Sequence, residues 1–259
     1  MRIAAILEYD GSRFCGWQWQ DGVRTVQAVV ESSFSQVADE PVRVITAGRT
    51  DTGVHACGQV IHFDTSAERS DYSWLRGVNS NLPADVAVRW IGQLSPDFHA
   101  RFSATGRYYR YVIFNRPVNS ALLDRRVTWE YRPLSISLMQ QAADLLVGTH
   151  DFSSFRTVHC QAKSPVRELR SLVVTGKDPF VYVTAYANAF LHHMVRNLAG
   201  VLLTIGAGER PPGWAREILE AKDRALGGVT APADGLYLTA IEYPKVFEIP
   251  NLSPDSGLW

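Results

Sequence analysis

The sequence predicts an α+β fold in which two α/β halves share a mixed, mainly antiparallel sheet with flanking helices. Three observations carry that expectation. At 259 residues the chain falls between one large domain and two small ones. Its 46% hydrophobic content is ample for a buried core. Strand-like and helix-like patterns interleave through both halves, with no internal repeat.

Residues 2–9 are rich in Ile and Leu and stop at Asp10-Gly11, a turn signal, so they form a first strand. Thr25 caps a helix whose apolar residues Val26, Val29, Val30, Phe34 and Val37 recur at three- and four-residue steps, and residues 39–41 end it. Strands are expected over 42–46 and 60–63, joined by the segment 48–58. A helix over 72–82 stops before Pro83, and a strand follows over 86–91.

The second half opens with Arg107-Tyr108-Tyr109-Arg110-Tyr111-Val112-Ile113-Phe114, whose aromatic and β-branched content favours a strand. Ser135 or Ser137 can cap a helix through Val147, with Ser137 and Gln140 at capping-box spacing. Residues 169–174 and 180–187 read as paired strands. The longest helical pattern, 190–205, carries Leu191, Met194, Val195, Leu198, Val201, Leu202 and Ile205 on a broad apolar face. His193, Arg196, Asn197 and Gly200 fall on a different stripe. A last strand is expected over 236–243. The expected division is 1–105, 106–247 and a C-terminal tail, 248–259.

Lys+Arg and Asp+Glu both number 26, so attraction to a polyanion must come from arrangement of charge and not from an excess. The basic residues are nearly all arginine, with lysine only at 163, 177, 222 and 245. Arginine forks suit phosphate and base stacking, although a codon bias gives the same composition. The apolar run before Glu8 is too short for a signal peptide, and no stretch reaches the ~20 apolar residues of a membrane helix. Three separated cysteines fit a reducing compartment. A soluble, cytoplasmic protein with no membrane partner is expected.

Gly48-Arg49-Thr50-Asp51-Thr52-Gly53 places an acid, a base and two hydroxyls between glycines, where backbone can hold a carboxylate exposed. Such a run alone is more often an ordinary polar turn. Asp-Thr-Gly also occurs in aspartic proteases, which need two carboxylates sharing a proton. Here the only similar run is Asp10-Gly11-Ser12, in the wrong order, and Arg49 and Thr50 stand where that family places apolar residues.

Arg196 lies inside a largely apolar helix, where a guanidinium either reaches solvent or finds a partner. Facing Asp51, it would favour the ionised carboxylate that a nucleophile requires. Tyr108, Tyr109 and Tyr111 among Arg107 and Arg110 suit either base stacking or core packing, and Trp17 and Trp19 share that ambiguity. His55, Cys57 and His62 are close in sequence and His159-Cys160 lies elsewhere, but no pair of ligand pairs has zinc spacing. No metal is expected. Neither a P-loop nor G-x-G-x-x-G follows a strand, so no cofactor is expected either.

Taken in order, these segments resemble the tRNA pseudouridine synthase A family over essentially the whole chain. The matching runs are Tyr9-Asp10-Gly11, Phe14 with Gly16-Trp17-Gln18, Thr25-Val26-Gln27, the run from Ala47 to Ala56, Gly58-Gln59-Val60, and Phe98-His99-Ala100-Arg101-Phe102. Later come Arg107 with Tyr109 and Tyr111, His150-Asp151-Phe152, Asn188 through Asn197, and Thr230-Ala231-Pro232-Ala233 with Gly235-Leu236-Tyr237-Leu238.

The resemblance implies the pseudouridine synthase fold with its active-site cleft between the halves. It implies that Asp51 is the catalytic aspartate, Tyr109 contacts the target base, Arg196 is the basic partner of the aspartate, Leu236 lies near the pocket floor, and Arg49 helps turn the base out. It further implies a cofactor-free isomerase for uridines 38, 39 and 40 of the tRNA anticodon stem-loop, working as a homodimer with tRNA contacting both subunits. Thr52 departs from the alanine usual after the aspartate, and altered local bonding without lost activity is expected.

The chemistry breaks the bond from ribose C1′ to uracil N1, turns the base and rejoins it through C5. A stacked base must first be flipped out, at a cost of a few kcal/mol. Asp51 attacking C1′, removing the 2′ proton, or adding to C6 are all compatible with the residues present. The base that removes the C5 proton is either Asp51 or Tyr109 acting through water. A non-catalytic tRNA-binding protein is the main rival, but it gives no reason for Asp51, Tyr109 and Arg196 together.

Overall fold

The computed structural model of the chain describes residues 1–157, 160 and 162–250. His159 and the part of the expected tail beyond Pro250 lie outside them. The chain divides into two compact units, Met1–Thr105 with the segment from Leu238, and Gly106–Tyr237.

In the first unit, β1 (Arg2–Tyr9), α1 (Val26–Ala38), β2 (Ile45–Thr46), β3 (His55–Asp64), α2 (Asp71–Asn81) and β4 (Val86–Leu94) follow in order. Strand β1 is flanked on both edges by antiparallel neighbours, β3 and β4, and β2 pairs with β3. Ile3 through Leu7 are all buried instead of alternating, so both faces of β1 are covered as well as both edges. The helices bring Phe34 and Trp74 against Phe63 of β3, at ring separations of 5.0 and 5.6 Å. Burying each such side chain contributes about 2 kcal/mol.

Local chemistry sets the helix limits. The Thr25 hydroxyl accepts from Ala28 N–H, an interaction worth about 1 kcal/mol, and α1 stops where Asp39 turns left-handed at φ 57°. Strand β3 begins at His55, five residues before the expected 60, because pairing with β1 continues to Tyr9 and Ala56. Only Ile45–Thr46 of the expected strand 42–46 is paired.

The second unit contains β5 (Gly106–Asn115), β6 (Thr128–Glu130), α3 (Ile136–Asp144), β7 (Gly148–Asp151), β8 (Val166–Lys177), β9 (Phe180–Ala187), α4 (Met194–Gly206) and α5 (Trp214–Ala221). Strand β9 lies antiparallel between β5 and β8, β7 is antiparallel to β8, and β6 runs parallel to β5. The fold is thus α+β with mixed, mainly antiparallel pairing.

Ser135, not Ser137, caps α3 by accepting from Leu138 N–H. Gln140 turns to the sheet instead of closing a capping box, donating to Leu172 O and accepting from Val174 N–H. Helix α4 starts at Met194, four residues after the expected 190, because His193 is left-handed at φ 62°. Helix α5 and strands β6 and β7 have no counterpart among the elements expected from the sequence, each being too short for a clear period. Among the described residues no helix is long and apolar enough to cross a membrane.

The last strand among the described residues, β10 (Leu236–Glu242), leads the chain back to the first unit. Residues 238–247, expected with the second half, group with the first. Thr105 N–H donates to Glu242 O at 2.8 Å, and Tyr243 Oη donates to Ala100 O at 2.6 Å. Phe98 packs its ring on Tyr243 and Phe247.

His62 of β3 is buried, accepts from Ala100 N–H through Nδ1, and lies 4.8 Å ring to ring from His99. Burial first, then the nearby His99 and Arg2, lowers its pKa from 6.5 to about 4, against a smaller opposing pull from Asp64. The folded state therefore favours neutral imidazole. Its stabilisation is complete above pH 6.5 and is lost as pH falls through about 4. The thermal midpoint should fall across that window, and His62→Gln should flatten the fall; equal slopes in a pH series of both proteins would contradict this.

Candidate active site

Asp51 sits on the segment that connects β2 to β3, and this segment is held from several sides by distant parts of the first unit. Gln59 Nε2 donates to Gly48 O at 2.6 Å, and Thr46 Oγ1 donates to the same oxygen. Tyr9 Oη and Thr50 Oγ1 share a buried hydrogen bond of 2.8 Å. Trp17 N–H donates to Thr50 O at 3.0 Å, and Gly53 N–H donates to Phe14 O at 3.4 Å. Val54 N–H closes the turn on Asp51 O, with Gly53 at φ 81°. Burial pushes the Tyr9 phenol up to about 12, so it stays protonated and able to donate.

Two glycines allow this approach. A Cβ on Gly11 would lie 2.0 Å from Val54 O, and one on Gly16 would lie 2.8 Å from Thr50 O at a backbone φ of 78°. Asp10 caps the turn after β1, and its Oδ1 is 3.2 Å from Nδ1 of buried His55. Hydrogen bonding from His55 and then from Ser12 holds the Asp10 carboxyl well below the usual carboxylate range, against the opposing effect of burial. Within this framework Asp51 is half-buried, Thr50 is buried, and Arg49 and Thr52 are exposed. Trp17 is a core residue and Trp19 is exposed, which resolves their shared ambiguity.

Tyr109, Arg196 and Leu236 belong to the second unit. On β5 the three tyrosines part company. Tyr111 is buried and its hydroxyl donates to Pro232 O, while burial drives its pKa upward. Tyr108 stacks on Tyr186 at 4.1 Å, with Arg110 over Tyr182 on the same face. Tyr109 is half-buried with its ring edge-on to Phe190 at 5.1 Å. Arg107 donates to Asn188 O.

The polar stripe of α4 receives the segment that precedes β10. Arg196 Nε donates to Ala231 O at 2.8 Å while Ala231 N–H donates to Arg196 O, and Arg196 Nη1 lies 3.2 Å from His193 Nε2. Asn197 Oδ1 accepts from Thr230 Oγ1 and Arg224 Nη2, and its Nδ2 donates to Phe155 O. Gly200 makes room, because a Cβ there would lie 1.8 Å from Val229 O. Val112 N–H donates to Gly235 O, and Leu236 is buried. One segment thus ties together the helix of Arg196, the strand of Tyr109 and Leu236.

Tyr9, Gln59, Gly11 and Gly16 have no role assignable from the sequence, although each lies in a run that carries the family resemblance. The clustering of glycines at 11 and 16 was the available signal. Their contacts with residues 48–54 are long-range and have no periodic trace.

An α+β scaffold with a clamped acidic loop in one unit and an arginine-flanked aromatic strand in the other carries residue types suited to chemistry on RNA. A family model described as tRNA pseudouridine synthase matches residues 5–103 and 142–244, and the chain belongs to that family. It is 57% identical to tRNA pseudouridine synthase A of Nitrosococcus oceani over the full length of both chains. It is 56% identical to the enzyme of the same name from Pseudomonas aeruginosa, over 96% of this chain and 88% of that one. Methylococcus capsulatus provides another at 57%, over 95% and 91%. The protein is an isomerase that converts uridine to pseudouridine in tRNA. Asp51, Arg196 and Leu236 fall within the matched segments and Tyr109 falls between them.

Gly11→Ala should lower stability by more than about 3 kcal/mol, since the new methyl meets a backbone oxygen that has no room to yield. Urea unfolding of the purified variant checks this. A change below about 1 kcal/mol would show that the turn around Gly11 yields.

Proposed function

We propose that Asp51 is the catalytic nucleophile of a cofactor-free pseudouridine synthase for uridines 38, 39 and 40 of the tRNA anticodon stem-loop. The observation that carries this reading is the full-length 57% identity to a tRNA pseudouridine synthase A, combined with a loop whose backbone is fixed around one half-buried carboxylate. In the net reaction the C1′–N1 bond breaks, a C1′–C5 bond forms, and the C5 proton passes to N1 through the site and solvent. No atom is gained or lost.

The remaining roles follow the resemblance. Arg49, exposed beside Asp51, helps turn the base out of the RNA, offsetting part of the unstacking cost of a few kcal/mol. Tyr109 contacts the flipped base, Leu236 lines the pocket floor, and Arg196 is the basic partner of the carboxylate. The bonds of Arg196 to Ala231 and His193 support a placed guanidinium. The protein works in the cytoplasm as a homodimer, with each tRNA contacting both subunits.

Asp51→Asn should bind an unmodified tRNA transcript within about twofold of wild type and form no pseudouridine. Site-by-site mapping of pseudouridine after incubation checks both claims. Turnover by the purified variant would remove Asp51 from the chemistry, and modification by wild type outside 38–40 would overturn the assigned positions.

A further inference from the structure

The run Phe98-His99-Ala100-Arg101-Phe102-Ser103 follows β4 and has no part in the chemistry above. Its residues divide sharply. Phe98 and Ala100 are fully buried, held by Tyr243, Phe247 and His62. Phe102 is 76% exposed and Arg101 is also exposed. A large ring left in water gives up about 2 kcal/mol of burial.

This ring is not at the tip of a loose loop. His99 Nδ1 accepts from both Arg101 N–H and Phe102 N–H at 3.2 Å. Ser103 Oγ accepts from His99 N–H, and Ser103 N–H returns a bond to His99 O. The imidazole of His99 then packs on Phe102 at 4.3 Å with 30° between planes, and the Arg101 guanidinium lies over the same ring, 5.6 Å from its centroid. One face of the phenyl is supported and the assembly is fixed before any partner arrives. Such a platform, an aromatic ring beside a guanidinium, matches what an unstacked base and its phosphate require.

We propose that Phe102 stacks on an unpaired nucleotide of the tRNA, with Arg101 beside it for the phosphate, at a contact separate from the modified uridine. The register of β1 sets that separation. Tyr9, which bonds Thr50, pairs with Val86, whereas Arg2 pairs with Leu94, so the Phe102 turn lies at the other end of the strand. The eight residues of β1 span roughly 25 Å. The contact therefore contributes to affinity for the whole tRNA and not to the reaction barrier. With a formal net charge of zero, this protein must rely on such placed groups.

Steady-state kinetics and filter binding with unmodified tRNA transcript test this on the full-length protein. Phe102→Leu should raise KM and Kd about tenfold, the effect of losing one base stack, with kcat unchanged. Its thermal midpoint and oligomeric state should match wild type. Phe102→Tyr, which keeps a stacking face, should retain wild-type KM. The proposal is overturned by an unchanged KM in Phe102→Leu, by equal losses in the Leu and Tyr variants, by a lowered thermal midpoint, or by a changed oligomeric state. The last result would assign the ring to a contact between copies of this chain.

Discussion

The rest of the first unit depends on how the carbonyl groups of Gly48 and Thr50 are satisfied. Buried backbone oxygens without donors are costly, and here the donors come from Gln59, Thr46 and Trp17. Each sits on a different segment, so the loop is fixed only when β2, the 14–17 stretch and β3 are all in place. A carboxylate on a free loop would pay for its position at every encounter with substrate. On this loop that ordering is complete before RNA binds.

The second unit solves a related problem by other means. A polar stripe on an apolar helix would normally face solvent. Instead, Arg196, Asn197 and Gly200 each accommodate one part of the 229–231 segment, the first two by hydrogen bonds and the third by absence of a side chain. Arg196 is thus committed structurally through Nε. Its Nη1 is engaged as well, 3.2 Å from His193 Nε2.

Much of this was readable in the sequence where the signal was local. The Thr25 cap, the 3.6-residue period of α1 and the strand that opens at Arg107 all appear in the structure within a few residues. Boundaries failed where tertiary contacts decided them. His55 extends β3 because Tyr9 pairs with Ala56, and His193 adopts a left-handed backbone that delays α4. At the site, the loop of Asp51 was visible from its glycines and its neighbouring arginine. The clamp around it was not, because Tyr9 and Thr50 lie 41 residues apart and no pattern in either segment names the other.

The return of β10 to the first unit has a consequence for the order of assembly. Domains generally fold as units from the N-terminus during synthesis. Here Phe98 has Tyr243 and Phe247 as its cover, and Ala100 and Thr105 bond to Tyr243 and Glu242. The unit that bears Asp51 is translated first and completed last. A ribosome stalled anywhere in the second unit leaves the first with an open apolar edge, which closes only once residues 238–247 have emerged.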